Sequence, residues 1–385
     1  MPLWSNARIG VLSNVLHSGA ADAPVPASKE RLDLALKAAG ELILEPATIR
    51  PEVMDLRRLS ARLGSNPMLV QASNGNTSVK IDGRLWIKGS GRWLANALHE
   101  ESMVSVELDE VRRLVETCGE IIAISSDSTR QPSIETPMHA VLPHRVVIHV
   151  HSVNTIAWAI RRNAETTLKA ALAELRWHWI PYVGSGIPLA REIAKRIASA
   201  PETEIFVLGN HGLVVCAEDC ERAEMLLNEV EHRLVIAPRS SPEPDIALLR
   251  TIADSTHLCL PDDDSLHALG ADQTAVNILK GGALFPCQAM FLGEQLSVFQ
   301  PEELVWRAWC PQGGEVFASW FVVAEGAGIL FRRDPSRAEL ANLFALAEVI
   351  RRTESADDVR YLERDEILSL MNVNTAAYKT SDGDS

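Results

Sequence analysis

The apolar positions of the chain follow two periods, 3.6 and 2, in alternating blocks. Behind Ser28 as an N-cap, the helical set Leu32, Leu34, Leu36, Ala39 and Leu42 predicts a helix over 31–44. Val53, Met54, Leu56, Leu59 and Leu63 predict a second over 51–62, opened by Pro51 and ended by Gly64. Short apolar runs at 68–71, 77–81 and 85–88 read as strands, and Asp82-Gly83 between two of them is a hairpin signal. Strands at 105–108 and 121–124 flank a helix over 109–116. Residues 145–152 read as a strand, followed by helices over 154–162 and 165–175. Another helix starts near Ser185, in SGIPLAREIAKRIAS. A tight strand pair, 205–208 and 213–216, encloses Gly209-Asn210-His211-Gly212. Asp219 then caps an amphipathic helix to about Val235, with Ala223, Leu226, Leu227, Val230 and Leu234 facing inward.

The pattern divides the chain. Residues 1–50 form an N-terminal extension whose first 27 positions show little periodicity. Residues 51–238 are rich in strands and flanked by helices, which predicts an α/β fold with a mixed, largely antiparallel sheet covered on both faces. RSSPEPD at 239–245 has two prolines and no large apolar residue, and reads as a linker. Beyond it, strand-like runs at 284–292, 296–299 and 318–331 precede helices at 336–350 and 364–372. These predict a smaller C-terminal α/β lobe over 246–376 without a catalytic cluster. The terminal KTSDGDS reads as a frayed tail.

Composition narrows the function classes. Hydrophobic residues make up 46% and charged residues 23%, ordinary for a soluble globular protein. A net charge of −14 argues against nucleic acid or an anionic membrane as partner, because both need excess Lys and Arg. It leaves a small anionic substrate open, since a pocket can be locally basic. The cysteines at 118, 216, 220, 259, 287 and 310 include no Cys-x-x-Cys and read as thiols in a reducing compartment. With no secretory signal and no long apolar span, a cytoplasmic location is expected.

The candidate chemistry lies in QPSIETPMHAVLPHRVVIHVHS, residues 131–152. On a strand, His149 and His151 project from one face roughly 6–7 Å apart, so two neutral imidazoles can share a divalent ion. Glu135 upstream and His211 in the Gly-Asn-His-Gly turn complete a candidate metal set. The turn at Gly75-Asn76-Thr77-Ser78 and the Gly89-Ser90-Gly91 turn offer backbone N–H groups, an amide and hydroxyls. They can hold an anion, with Lys80, Lys88 or Arg92 supplying charge, or they are simply hairpin turns. Other His-x-His families fit less well: Ser152-Val153-Asn154 stands where a metallo-β-lactamase has Asp-His, and Thr155 where a cupin has Glu. Gly184-Ser185-Gly186 lacks the third glycine and the preceding strand of a dinucleotide fingerprint.

Taken in order, GNTSVK at 75–80, KGSG at 88–91, PSIE at 132–135, His149-Val150-His151 and Asn210-His211-Gly212 resemble the class II aldolase/adducin family over about residues 52–236. Within that family the motifs look most like the aldolase part of bifunctional rhamnulose-phosphate aldolase/dehydrogenase proteins. No Gly-rich dinucleotide fingerprint of a dehydrogenase occurs in the chain. The resemblance implies a three-layer α/β/α sandwich and a Zn2+ or other divalent ion on Glu135, His149, His151 and His211. It implies an aldehyde-lyase that cleaves a C–C bond in a small sugar phosphate or sugar acid through a metal-stabilised enediolate, with Glu135 as the proton shuttle. Gly75, Asn76, Ser90, Gly91 and Ser133 are the substrate-binding candidates. Ile134 stands where the family has a phosphate-binding hydroxyl, so an unphosphorylated carbonyl substrate fits as well. The family also implies a homotetramer whose proton donor, often a tyrosine, comes from a neighbouring subunit; of this chain's tyrosines, Tyr182 is the candidate. An epimerase or decarboxylase on the same site and a non-catalytic adducin-like module are the alternatives. A lysine-based aldolase is disfavoured, because no lysine lies in a strongly apolar strand. The segment from Glu135 to His149 is short, and His139, four residues after Glu135, shares its face if helical and either supports a ligand or is simply a satisfied half-buried histidine.

Overall fold

A computed structural model of the protein describes residues 50–117, 131–309 and 319–372. From Arg50 onward they belong to one compact unit. The helix expected over 31–44, the strand over 121–124 and the terminal tail lie outside the described residues.

Seven strands form the main sheet: β1 (Asn76–Ile81), β2 (Arg84–Lys88), β3 (Met103–Glu107), β4 (Val146–Val150), β5 (Trp177–Ile180), β6 (Ile205–Leu208) and β7 (Gly212–Ala217). Their order is β3-β2-β1-β4-β7-β6-β5, antiparallel throughout except that β5 runs parallel to β6. Asp82 and Gly83, both at positive φ, make the two-residue turn whose twist matches the flanking strands.

Alternation along the strands builds a core on each face. Val146, Ile148 and Val150 of β4 face one side and Val147 the other; Leu213, Val215 and Ala217 of β7 are likewise opposed to Val214 and Cys216. The first face packs under helices Pro51–Gly64 and Cys220–Leu234, the latter capped by Asp219, whose side chain accepts from the Arg222 N–H. The second packs under Leu108–Thr117, Thr136–Val141 and Ile187–Ser199. Each fully buried Leu or Ile contributes roughly 1.5–3 kcal/mol to holding these layers together. The result is a three-layer α/β/α sandwich.

The C-terminal region carries a three-stranded sheet, β8 (Ser297–Phe299), β9 (Phe321–Ala324) and β10 (Gly328–Phe331), and helix Arg337–Arg351 with a Ser336/Glu339 capping box. Its apolar core incorporates Val153, Ile156 and Ala157 from the helix that directly follows the histidine strand, and Ile160 at that helix's C-cap. The linker is tied down as well: Arg239 donates to Asp272 Oδ2 at 2.7 Å, and its backbone N–H to Arg351 O at 2.7 Å.

Two expected strands are not strands. Residues 68–71 form successive turns, in which the Leu69 and Val70 N–H groups both donate to Asn66 O. The run at 284–292 contains helix Pro286–Phe291, a short element buried on most sides, so its apolar residues show no period to separate helix from strand.

Candidate metal centre

Three separate turns bring the site together on one face of the sheet. His149 lies in β4 directly opposite Asn76 of β1, and His151 follows as the strand ends. His211 sits in the tight turn between β6 and β7, after Asn210 at φ 51. Glycine is required on both flanks of this strand. A Cβ on Gly75, at φ +64, would lie 2.8 Å from His149 O, and one on Gly212 would lie 2.5 Å from Val150 O. Glu135 precedes helix Thr136–Val141, which turns the chain back towards β4 within the short segment noted in the sequence.

The three imidazoles face one another edge-on, with ring centroids 4.9–5.0 Å apart and interplanar angles of 68–76°. His149 Nε2 lies 3.1 Å from His151 Nε2 and 3.2 Å from Glu135 Oε2, and His211 Nε2 lies 3.3 Å from Glu135 Oε1. His149 donates its Nδ1–H to Leu213 O at 3.1 Å, so in the neutral ring Nε2 is a bare lone pair aimed into the cluster. His149, His151, His211 and Glu135 are all buried.

The electrostatics of the cluster agree with its geometry. Burial pushes His211 down to about 4 and His151 well below the usual imidazole value, with His149 adding to both shifts. For Glu135, burial pushes upward, but His149, His211, His151 and the Asn76 hydrogen bond together pull further, and its carboxyl ends well below the usual range. One carboxylate and three imidazoles thus converge within hydrogen-bond distance of one another. His149, His151 and His211 can bring one ligand atom each within 4.8 Å of one another, a set that suits a divalent metal, with the Glu135 carboxylate beside it.

A second set of residues holds Glu135. Asn76 Nδ2 donates to Glu135 Oε2 at 2.8 Å and to Ser133 Oγ at 3.2 Å, and Ser185 Oγ donates to Oε1 at 3.3 Å. His139 is helical and fully buried, and it hydrogen-bonds Asn76 Oδ1 through Nε2 and Ser78 Oγ through Nδ1 at 2.7 Å. Because Asn76 Oδ1 accepts from His139, the amide presents its NH2 side to Glu135.

Beside the cluster lies a cavity of about 200 Å³, lined by Gly75, Asn76, Ser90, Gly91, Ser133 and Glu135 among others. All five residues expected to bind substrate are on its wall, with His151 and His211, although the Asn76 amide is already committed to Glu135. Lys88, Ser185 and Cys287 also line it. Lys88 is buried, donates from Nζ to Ser73 O and, at 2.9 Å, to Arg92 O, and is pushed down to about 7 by burial. The expectation that no lysine sits in an apolar strand is therefore wrong: Lys88 ends β2 with its ammonium satisfied by carbonyls, which periodicity does not reveal. Lys80 donates to His144 O at 2.6 Å, and Arg92 faces Glu100; neither lines the cavity. Tyr182 also stays off the wall and packs among Ala283, Ala289 and Leu362. Cys287 reaches the site from 136 residues further along the chain than His151, so no local signal could have marked it.

Fold and site together define a three-layer α/β protein with a buried histidine–carboxylate centre. Residues 55–237 match the Class II Aldolase and Adducin N-terminal domain. The match supports an enzyme of the aldolase or epimerase type. Among curated proteins, an uncharacterized oxidoreductase of Bacillus subtilis (strain 168), YuxG, is 29% identical over 224 residues, which is 50% of this chain and 32% of that protein. The chain thus spans about a third of the length of this curated relative. Among solved structures, the N-terminal class II aldolase domain of a conserved protein from Thermoplasma acidophilum is similar at 22% identity and TM-score 0.43, over 48% of this chain and 92% of that one. L-fuculose-1-phosphate aldolase from Thermus thermophilus is similar at 19% identity and TM-score 0.35, over 48% of this chain and 91% of that one. Among the described residues, no helix is long and apolar enough to cross a membrane.

Proposed function

We propose that the chain is a divalent-metal-dependent aldolase-type lyase acting on a small sugar phosphate or sugar acid. The observation that carries this reading is the convergence of the Glu135, His149, His151 and His211 lone pairs beside a cavity of about 200 Å³. Those four residues would hold Zn2+ or a similar ion. When bound, the ion supplies a Lewis acid for the negative charge that builds on a carbonyl oxygen as a neighbouring C–C bond breaks.

The chain's own groups do the rest. Glu135, gripped by Asn76 and Ser185, takes the proton from the substrate hydroxyl at the bond to be cleaved and returns it to the carbon left with the electron pair of that bond. Ser90, Gly91 and Ser133 line the part of the cavity that receives the anionic end of the substrate, and Lys88 supplies the positive charge there. Ile134, Met290 and Leu370 are apolar parts of the same wall and exclude water from the reacting carbons. The ionised Glu135 and its buried supports favour a catalytic centre over an adducin-like module.

The test is a panel of ketose phosphates, sugar acids and 3-oxo acids offered to metal-loaded protein, with the released aldehyde, epimer or carbon dioxide measured. Aldehyde release that stops on chelation supports the lyase. Epimer or carbon dioxide without aldehyde assigns the same site to an epimerase or decarboxylase. No turnover by metal-loaded protein on any member overturns the reading.

A further inference from the structure

The turns that carry the site are gripped from behind by the C-terminal region. Cys287 places Sγ 3.2 Å from His151 Nδ1, and both residues are buried. With His151 Nε2 turned towards His149, the Nδ1–H is the group left to donate to sulfur. Asn210, immediately before His211, donates its side-chain amide to Leu284 O at 2.8 Å and to Arg360 O at 2.7 Å, and its Oδ1 accepts from Arg360 Nη1 at 3.1 Å. Asn74, immediately before Gly75, donates to Asn342 Oδ1 at 2.9 Å.

A region that only covered an apolar face would need apolar contacts, and it has them through Val153, Ile156 and Ile160. The polar contacts do something else. Each reaches a site-bearing segment, each is buried or part-buried, and removing one leaves a polar group unpaired. A metal-binding imidazole depends on the partner of its other nitrogen for tautomer and ring orientation. His149 takes that partner from within its own sheet, at Leu213 O. His151 takes it from Cys287, and the turn holding His211 takes its clamp from Leu284 and Arg360.

We propose that the C-terminal region is the positioning frame of the metal centre, with Cys287 orienting the ring of His151 and the Leu284 and Arg360 carbonyls holding the Asn210–His211 turn. These are positioning residues: Leu284 and Arg360 lie off the cavity wall, and Cys287, which is on it, acts through His151. The inference rests on the metal-centre reading above.

The experiment compares the full chain with Cys287→Ala, Cys287→Ser and Asn210→Asp. Asp tolerates the left-handed backbone at this position but replaces two N–H donors by an acceptor that faces two carbonyls. Zinc affinity is read by competition with a chromophoric chelator, beside the melting temperature of the metal-free protein. The frame predicts a loss of roughly 10–100-fold in zinc affinity for Cys287→Ala and Asn210→Asp. It predicts that Cys287→Ser restores most of that loss, because a hydroxyl oxygen accepts the same N–H. Zinc affinity unchanged in both Cys287→Ala and Asn210→Asp, with only the melting temperature lowered, overturns it, because packing alone gives that pattern. If the parent protein takes up no metal, the proposed function fails, and the contact is decided by nitrogen-15 NMR of His151 in the metal-free protein. An Nδ1-protonated ring in the parent and in Cys287→Ser, lost in Cys287→Ala, supports the frame; one tautomer in all three overturns it.

Discussion

Asn76 donates its side-chain amide to Glu135 Oε2 across 2.8 Å while standing directly opposite His149 in the β1–β4 ladder. One residue of β1 thereby pairs with the histidine strand and hydrogen-bonds the carboxylate. Asn76→Asp would keep the shape but replace the donor by a second carboxylate. Like charges at this distance raise a pKa, so the acid limb of the pH–rate profile should move upward. Turnover should fall roughly 10–100-fold, the equivalent of the ~1.5–3 kcal/mol that a hydrogen bond to a charged group contributes. Steady-state kinetics across pH checks both.

Under the proposed function Glu135 is both ligand and base, so Glu135→Gln would keep a ligand oxygen and remove the base. Part of the bound metal should remain while turnover falls by about 10²–10⁴-fold, the range a positioned general base contributes. Metal content and turnover are measured on the same preparation. Full activity in this variant would remove Glu135 from the chemistry.

Lys88 gives the site a pH dependence with a definite sign. Its ammonium is pushed down to about 7 by burial, with Glu135 partly opposing the shift. Below that value the group is charged and attracts an anionic substrate; above it the charge is lost. KM for an anionic substrate should therefore rise as pH climbs through 7, and Lys88→Met should have a high KM that no longer changes over this range.

Gly212 and Gly184 both border the site but differ in free space. A methyl on Gly212 would meet Val150 O at 2.5 Å and crowd His151, whereas one on Gly184 meets nothing within 4 Å. Gly212→Ala should lower the melting temperature and weaken metal binding together. Gly184→Ala should leave both as they are.

Much of the sandwich is legible because its signals are local. Asp82-Gly83 must turn a hairpin, Asp219 must cap a helix, and the alternation through Val146–Val150 needs two packed faces to absorb it. The histidine pair is legible for the same reason, as period 2 puts both rings on one side. β5 escapes the pattern because Trp177–Ile180 is a short edge strand in which three of four residues are only half-buried. Helix Pro286–Phe291 reads as extended because a six-residue buried helix leaves no period, although Pro286 at its first turn is an available sign. Tertiary contacts lie beyond the reach of local patterns altogether. Nothing near Lys88 announces that Ser73 and Arg92 will receive its ammonium, and nothing near Cys287 announces His151.

The most direct measurement is the divalent metal content of the purified full chain, with His149→Ala beside it. The proposed function predicts about one tightly held divalent ion per chain, since one carboxylate and three imidazoles would make a single four-ligand site. It predicts loss of that ion in His149→Ala, with the circular dichroism of the folded protein retained. A folded parent protein that neither contains nor takes up a divalent metal would contradict the account.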